Sequence, residues 1–226
     1  MKYSICLAVC GFSLSAATVY NTAAPFTGTR SIGLSGGLAQ GGGTGFNNLT
    51  LSWSIVELPD STYDYTYTIA GVSTPLLSHF LLELSPVCLT PGQDCVTNPE
   101  VNGSPASTTL GYFCYGSAGC QGKSNVGLPS GFDGVKFESM PASPGPVIIT
   151  FNSAHVPVWG DFYLKGGQQY VYNLGNLNHL DSNTQDFVAR PDTYSGAPQT
   201  PEPATLGLVG AALVSLGMFK RSRRRL

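Results

Sequence analysis

Two neighbouring stretches set the strongest constraint on how this chain can fold. "LTLSWSIV" alternates Leu49, Leu51, Trp53 and Ile55 against Thr50, Ser52 and Ser54. After Pro59-Asp60, "YDYTYTIA" alternates Tyr63, Tyr65, Tyr67 and Ile69 against Asp64, Thr66, Thr68 and Ala70. A period of two in β-branched and aromatic residues places one face of a strand in a core and the other toward water. The intervening Pro-Asp-Ser is turn chemistry, so the two stretches predict a β-hairpin.

The rest of the centre reads as further short strands divided by Gly and Pro. "LLSHFLLEL" (Leu76 to Leu84) lies between Pro75 and Pro86, too short a run for a typical helix, and predicts a buried strand. Additional strands are expected at Leu110–Tyr115, Gly134–Phe137, Val147–Asn152, Asp161–Leu164 and Gln169–Tyr172. No long amphipathic helical pattern is present. The fold class is therefore all-β, a single β-sandwich or jelly-roll-like domain. "GLSGGLAQGGGTG" (Gly33 to Gly45) is followed by neither G-K-[ST] nor a helical pattern, so it predicts a flexible surface loop and not a phosphate cradle.

Both ends of the chain read as processing segments. Lys2, the apolar stretch Ile5 to Leu14 and the small residues Ser15-Ala16-Ala17 form a signal peptide over residues 1–17, with the cut expected after Ala17. Val9 before Cys10 is too large for a lipoprotein box. The exported domain then covers 18–191, a Pro/Ser/Gly/Thr-rich linker with Pro-Glu-Pro covers 192–203, and an apolar helix with a basic tail covers 204–226.

Charge is segregated along the chain. Lys220, Arg221, Arg223, Arg224 and Arg225 lie in the tail and Lys2 at the start, which leaves 5 of 11 basic residues between Thr18 and Thr200. That span holds 12 of the 13 acidic residues, hence 5 − 12 = −7. Phosphate binding needs clustered Lys and Arg, so no nucleic-acid partner is expected. Export also governs the cysteines. Cys6 and Cys10 depart with the signal, leaving Cys88, Cys95, Cys114 and Cys120 to form disulfides in an oxidising compartment. Three pairings are open; the local one joins Cys88–Cys95 and Cys114–Cys120, each loop contributing about 2–3 kcal/mol in the chain-entropy treatment. The spacings miss the zinc pattern C-x₂₋₄-C.

Ala204 to Phe219 are sixteen apolar or small residues. As a helix they would span roughly 24 Å, short of a ~30 Å hydrocarbon core. Such a segment holds a precursor weakly, with its basic residues kept on the cytoplasmic side. The order Pro201-Glu202-Pro203, apolar run and terminal basic cluster resembles the PEP-CTERM sorting signal of exported proteins in Gram-negative bacteria. The resemblance implies two transient partners, an exosortase (a membrane protease-transpeptidase that processes near Pro-Glu-Pro) and the inner membrane, and a cell-envelope or extracellular location associated with extracellular polysaccharide. "YDYTYTI", "SHFLLEL", "GVKF" and "PVWGDFYLKGG" are similar to an uncharacterised group of PEP-CTERM proteins that brings no activity with it.

Catalytic motifs are missing from the sequence. His79, His155 and His179 form no H-E-x-x-H, and there is no G-x-S-x-G elbow. Asp181, Asn183 and Asp186 miss the D-x-[DN]-x-[DN]-G calcium pattern and read as a polar loop. No metal, cofactor or enzymatic activity is therefore expected. Trp159, with Phe162 and Tyr163 in "VWGDFY", offers aromatic faces suited to sugars, which makes Trp159 and Tyr163 candidate glycan contacts; core packing explains the same residues without any ligand and is the favoured reading.

Overall fold

The computed structural model describes residues 23–72, 76–90, 93, 95–116, 120–121, 125–138, 140–141, 144–177 and 184–191. The signal peptide, the linker and the sorting tail lie outside them. The described part is all-β. Its strands are β1 (Thr27–Ile32), β2 (Gly37–Gly41), β3 (Thr50–Glu57), β4 (Tyr63–Ala70), β5 (His79–Glu83), β6 (Thr97–Val101), β7 (Ser104–Pro105), β8 (Thr108–Phe113), β9 (Phe132–Phe137), β10 (Val147–Ser153), β11 (Pro157–Gly160), β12 (Phe162–Gly166), β13 (Gln169–Asn173) and β14 (Val188–Pro191). The hairpin expected from alternation is β3–β4, paired antiparallel from Thr50↔Ala70 to Glu57↔Tyr63. Its turn is fixed by Asp60, whose Oδ1 accepts from the Thr62 N–H at 3.0 Å and the Thr62 hydroxyl at 2.7 Å.

Twelve strands form one sheet in the order β7-β6-β10-β4-β3-β1-β2-β13-β12-β5-β9-β8. Ring contacts show how the sheet closes. Tyr67 of β4, fourth in the order, meets Phe80 of β5, tenth, at 5.8 Å. Phe151 of β10, third, meets Phe137 of β9, eleventh, at 5.7 Å. The sheet is thus doubled over near β1 and β2, a short parallel pair, and its two halves face each other across an aromatic core. A β-sandwich or jelly-roll-like domain was expected; here a single continuous sheet supplies both layers.

β11 and β14 form a separate two-stranded ribbon, which Ala23 joins by a bridge to Val158. A second, smaller apolar cluster (Leu81, Phe113, Leu128, Phe132 and Tyr163) lies on the outer face of β5, β9 and β12.

The glycine-rich run departs from expectation. Gly37–Gly41 is a strand in the middle of the sheet, antiparallel to β13. Absent side chains explain this, because the backbone is approached from both sides. A Cβ on Gly41 would lie 2.3 Å from the Tyr170 ring, and one on Gly37 would lie 1.9 Å from the Gln185 carbonyl oxygen. Gly37 also holds φ at +80°, the left-handed region that favours glycine. Gly37→Ala is expected to cost about 2–3 kcal/mol, from backbone strain plus overpacking. Urea denaturation checks this; a change below about 0.5 kcal/mol would show that the 184–186 segment yields freely.

Candidate functional site

The described domain ends on the ribbon, and that end is where the sorting tail departs. β14 has four buried residues, Val188–Pro191; Val188 and Ala189 join the apolar core, and polar contacts add to their hold. Arg190 is fully buried, with Nε 3.5 Å from Glu83 Oε2 and an Nη1 hydrogen bond to the Pro191 carbonyl. Glu83 Oε2 also accepts from the Asp161 N–H at 2.8 Å. Asp161 Oδ1 in turn accepts from Asn173 Nδ2 at 2.7 Å, and Asn173 also donates to the Asp186 carbonyl at 2.7 Å and accepts from the Phe162 N–H at 2.8 Å. The charges are out of water, so their mutual contacts hold β5, β12, β13 and β14 in one arrangement. The Tyr67 hydroxyl donates to the Ala189 carbonyl at 2.7 Å, and burial raises its pKa well above the ordinary tyrosine value while Arg190 opposes the shift.

A second clasp lies beside the first. The Arg30 guanidinium sits 5.0 Å from the Trp53 ring and 5.4 Å from the Trp159 ring, and the two indoles meet edge to face. Arg30 Nε donates to the Phe187 carbonyl and Nη2 to the Thr184 carbonyl, each at 2.8 Å. Stacking and hydrogen bonding together tie β1 and β3 to the segment entering β14. Burial lowers the Arg30 pKa, and Asp186 acts in the opposite sense. Ala24 donates to the Pro157 carbonyl at 3.0 Å, so both ends of the described domain are pinned to the same ribbon.

The cysteines pair locally, Cys88–Cys95 and Cys114–Cys120, with Cα separations of 5.9 and 5.3 Å. Trp159 is 7% exposed and Tyr163 0% exposed, so neither ring offers a face for stacking on a sugar. Core packing accounts for both. Trp159 stacks over Arg30, and the Tyr163 hydroxyl donates to the Val126 carbonyl at 2.8 Å. Of the polar loop, Asp186 is buried, whereas Asp181 and Asn183 lie outside the described residues, as does His179. Among the described residues no three His, Cys, Asp or Glu side chains group as a metal site.

His79 and Glu83 share β5 but serve different contacts. His155 Nε2 lies 3.7 Å from Cys95 Sγ. His79 Nε2 lies 3.2 Å from Asn125 Oδ1, and its Nδ1 lies 3.1 Å from Ser78 Oγ. This is the order hydroxyl, imidazole, orienting amide. However, the Ser78 hydroxyl donates to the Lys165 carbonyl at 3.0 Å. Burial, reinforced by Lys136 and Lys165 and opposed by the Asn125 hydrogen bond and Glu138, brings the His79 pKa down to about 4. A base that weak suits a polar contact holding Asn125 better than proton transfer at neutral pH.

The shift has a consequence for stability. Folded His79 binds fewer protons than unfolded His79 between about pH 4 and 6.5, so its contribution is complete above pH 6.5 and is lost as the pH falls toward 4. The loss is expected to approach about 3 kcal/mol. His79→Phe should flatten that part of the stability–pH curve, and an unchanged slope would remove His79 as its source.

Comparison with known families matches residues 199–225 to the PEP-CTERM protein-sorting motif. The chain carries a PEP-CTERM sorting signal. It contains Pro201, Glu202 and Pro203 and the basic residues Lys220, Arg221, Arg223, Arg224 and Arg225. The signal marks an exported protein sorted through the exosortase route from a membrane-anchored precursor. The match covers the tail alone, and no curated protein and no solved structure matches the chain. Among the described residues no helix is long and apolar enough to cross a membrane. Seven residues, 192–198, lie between β14 and the matched segment, so the signal follows directly on the clasped strand.

Sequence reasoning missed Arg30, Glu83, Asn173 and Arg190. One signal was available for the arginines: in a domain with so few basic residues, Arg190 sits within the apolar "FVARP". A cation in such surroundings needs a buried partner.

Proposed function

We propose that this protein is a non-enzymatic component of the cell envelope or extracellular matrix, displayed or released by exosortase processing near Pro201-Glu202-Pro203. The carrying observation is the sorting signal at 199–225, placed just beyond a strand that ends the described domain. In this reading the tail meets the inner membrane transiently, and the exosortase is the one protein partner. The ribbon is held by Arg190, Tyr67 and Arg30, all of which precede the signal, and these contacts keep the domain folded while the tail is cut. The two local disulfides suit an oxidising destination.

Mass spectrometry of the mature protein from a sorting-competent host tests the proposal. A carboxy terminus near Pro201–Pro203 is expected, and a protein still extending through Leu226 would count against processing.

A further inference from the structure

The tip of the β6–β7 hairpin carries the chain's only Asn-Gly pair, Asn102-Gly103. Both residues and the following Ser104 are exposed. Their φ angles are both positive, 51° and 73°, the pattern of a type I′ turn. Asn102 is tied to β10, since its N–H donates to the Ile148 carbonyl at 2.8 Å and its Oδ1 accepts from the Ile148 N–H at 2.7 Å. No hydrogen bond among the described residues holds the peptide that joins Asn102 to Gly103. A Cβ at Gly103 would meet open space.

Types I′ and II′ differ by a flip of that central peptide, and both match the twist of a hairpin. Glycine at the second position accepts either sign of φ. In the type II′ form the ψ of Asn102 is about −120°, the mirror of the type II value. There the Gly103 nitrogen eclipses the Asn102 Cβ, the arrangement from which it reaches Cγ and closes a five-membered ring. The flip leaves the bonds to Ile148 in place, and the Ile148 N–H stabilises the oxygen that gains charge as the ring closes. Every other asparagine of the chain precedes a residue that carries a Cβ, which crowds the attacking nitrogen.

We propose that Asn102 is a self-modification site, which deamidates in the folded protein and thereby opens the β7 edge of the sheet. The Gly103 nitrogen bonds to Asn102 Cγ, and the side-chain nitrogen leaves as ammonia, taking the Gly103 amide proton. One water then opens the succinimide to aspartate or isoaspartate. Isoaspartate routes the backbone through the side chain, which adds a methylene and ends the two-residue turn. β7 is held in register by Val101↔Ser104 and Glu100↔Pro105 alone, so it parts from β6 once the turn is lost. The next bond along the hairpin, from the Ala106 N–H to the Pro99 carbonyl at 2.8 Å, is lost with it.

Peptide mapping of the full chain, kept in detergent and mildly alkaline buffer, tests the proposal. Asn102 should gain about 1 Da as nitrogen is exchanged for oxygen. Its rate should fall within about tenfold of that in the same chain unfolded in urea, because the flip needs no wider opening of the fold. Gly103→Asp keeps a residue that tolerates positive φ but places a Cβ beside the attacking nitrogen, and should slow conversion about tenfold or more. In converted molecules the Ala106 N–H should exchange with deuterium about tenfold faster or more. An Asn102 that keeps its amide in the folded chain while the urea-unfolded chain converts would overturn the proposal. So would equal conversion in Gly103→Asp, or converted protein whose Ala106 exchange is unchanged.

Discussion

Replacing Arg190 by alanine is expected to lower the stability of the folded domain by about 3–5 kcal/mol, because it strands the Glu83 carboxylate in the interior. For a domain of this size that corresponds to a melting-point drop of roughly 6–20 °C. The direction follows from burial. Arg190 has no exposed surface and Glu83 is nearly covered, so water cannot replace the lost cation. Glu83→Gln in the same background keeps an acceptor for the Asp161 N–H while removing the charge, and should recover at least half of the loss. Calorimetry on the single and double variants measures both effects. A loss below about 1 kcal/mol for Arg190→Ala would show that the ion pair does not hold β14.

Converting Pro201, Glu202 and Pro203 together to alanine is expected to reduce processed protein at least tenfold and to leave the precursor in the membrane fraction. The domain itself should be unaffected, since Arg190, Tyr67 and Arg30, which hold β14 and the segment before it, are left unchanged. Proline restricts the residue before it to extended backbone, the conformation a protease-type site requires, and alanine in its place lifts that restriction. Near-UV circular dichroism of the recovered protein separates a sorting defect from a folding defect. Normal processing of the triple variant would place recognition elsewhere in 199–225.

The two predictions concern opposite sides of Pro191, and they differ in how far sequence reading could reach. The tail is a linear signal. Its meaning lies in residue order along one short stretch, so Pro-Glu-Pro, apolar run and arginines could be read without a partner. The hairpin β3–β4 was legible for a similar reason, since alternation with a period of two records its own burial. Cys88–Cys95 and Cys114–Cys120 are pairings between near neighbours.

Elsewhere the local signal was weak or pointed the wrong way. β6 and β7 meet at Asn102-Gly103, with φ of 51° and 73°, a two-residue hairpin turn whose Asn-Gly signature was present although neither strand was among those expected. β2 is rich in glycine, so composition argued for a loop, while Tyr170 and Gln185 from distant parts of the chain required glycine in a strand. For Trp159 and Tyr163 side-chain type left a stacking platform open beside the favoured core position, and their burial decides for the core. Their burial comes from Arg30 and from the cover that includes Val126.

Sequence by itself therefore determined that the chain is exported, all-β in its centre and addressed by its last residues, because each of these is written in local order or in a short repeat. Only the tertiary structure decided that one doubled sheet supplies both layers, and that Arg190 with Glu83 and Arg30 with two tryptophans fasten β14 and the segment entering it. Those features depend on groups brought together across the fold, such as Arg30 and the Phe187 carbonyl, 157 positions apart. Such pairings lower the energy only once chain closure has made them neighbours, so no local pattern records them.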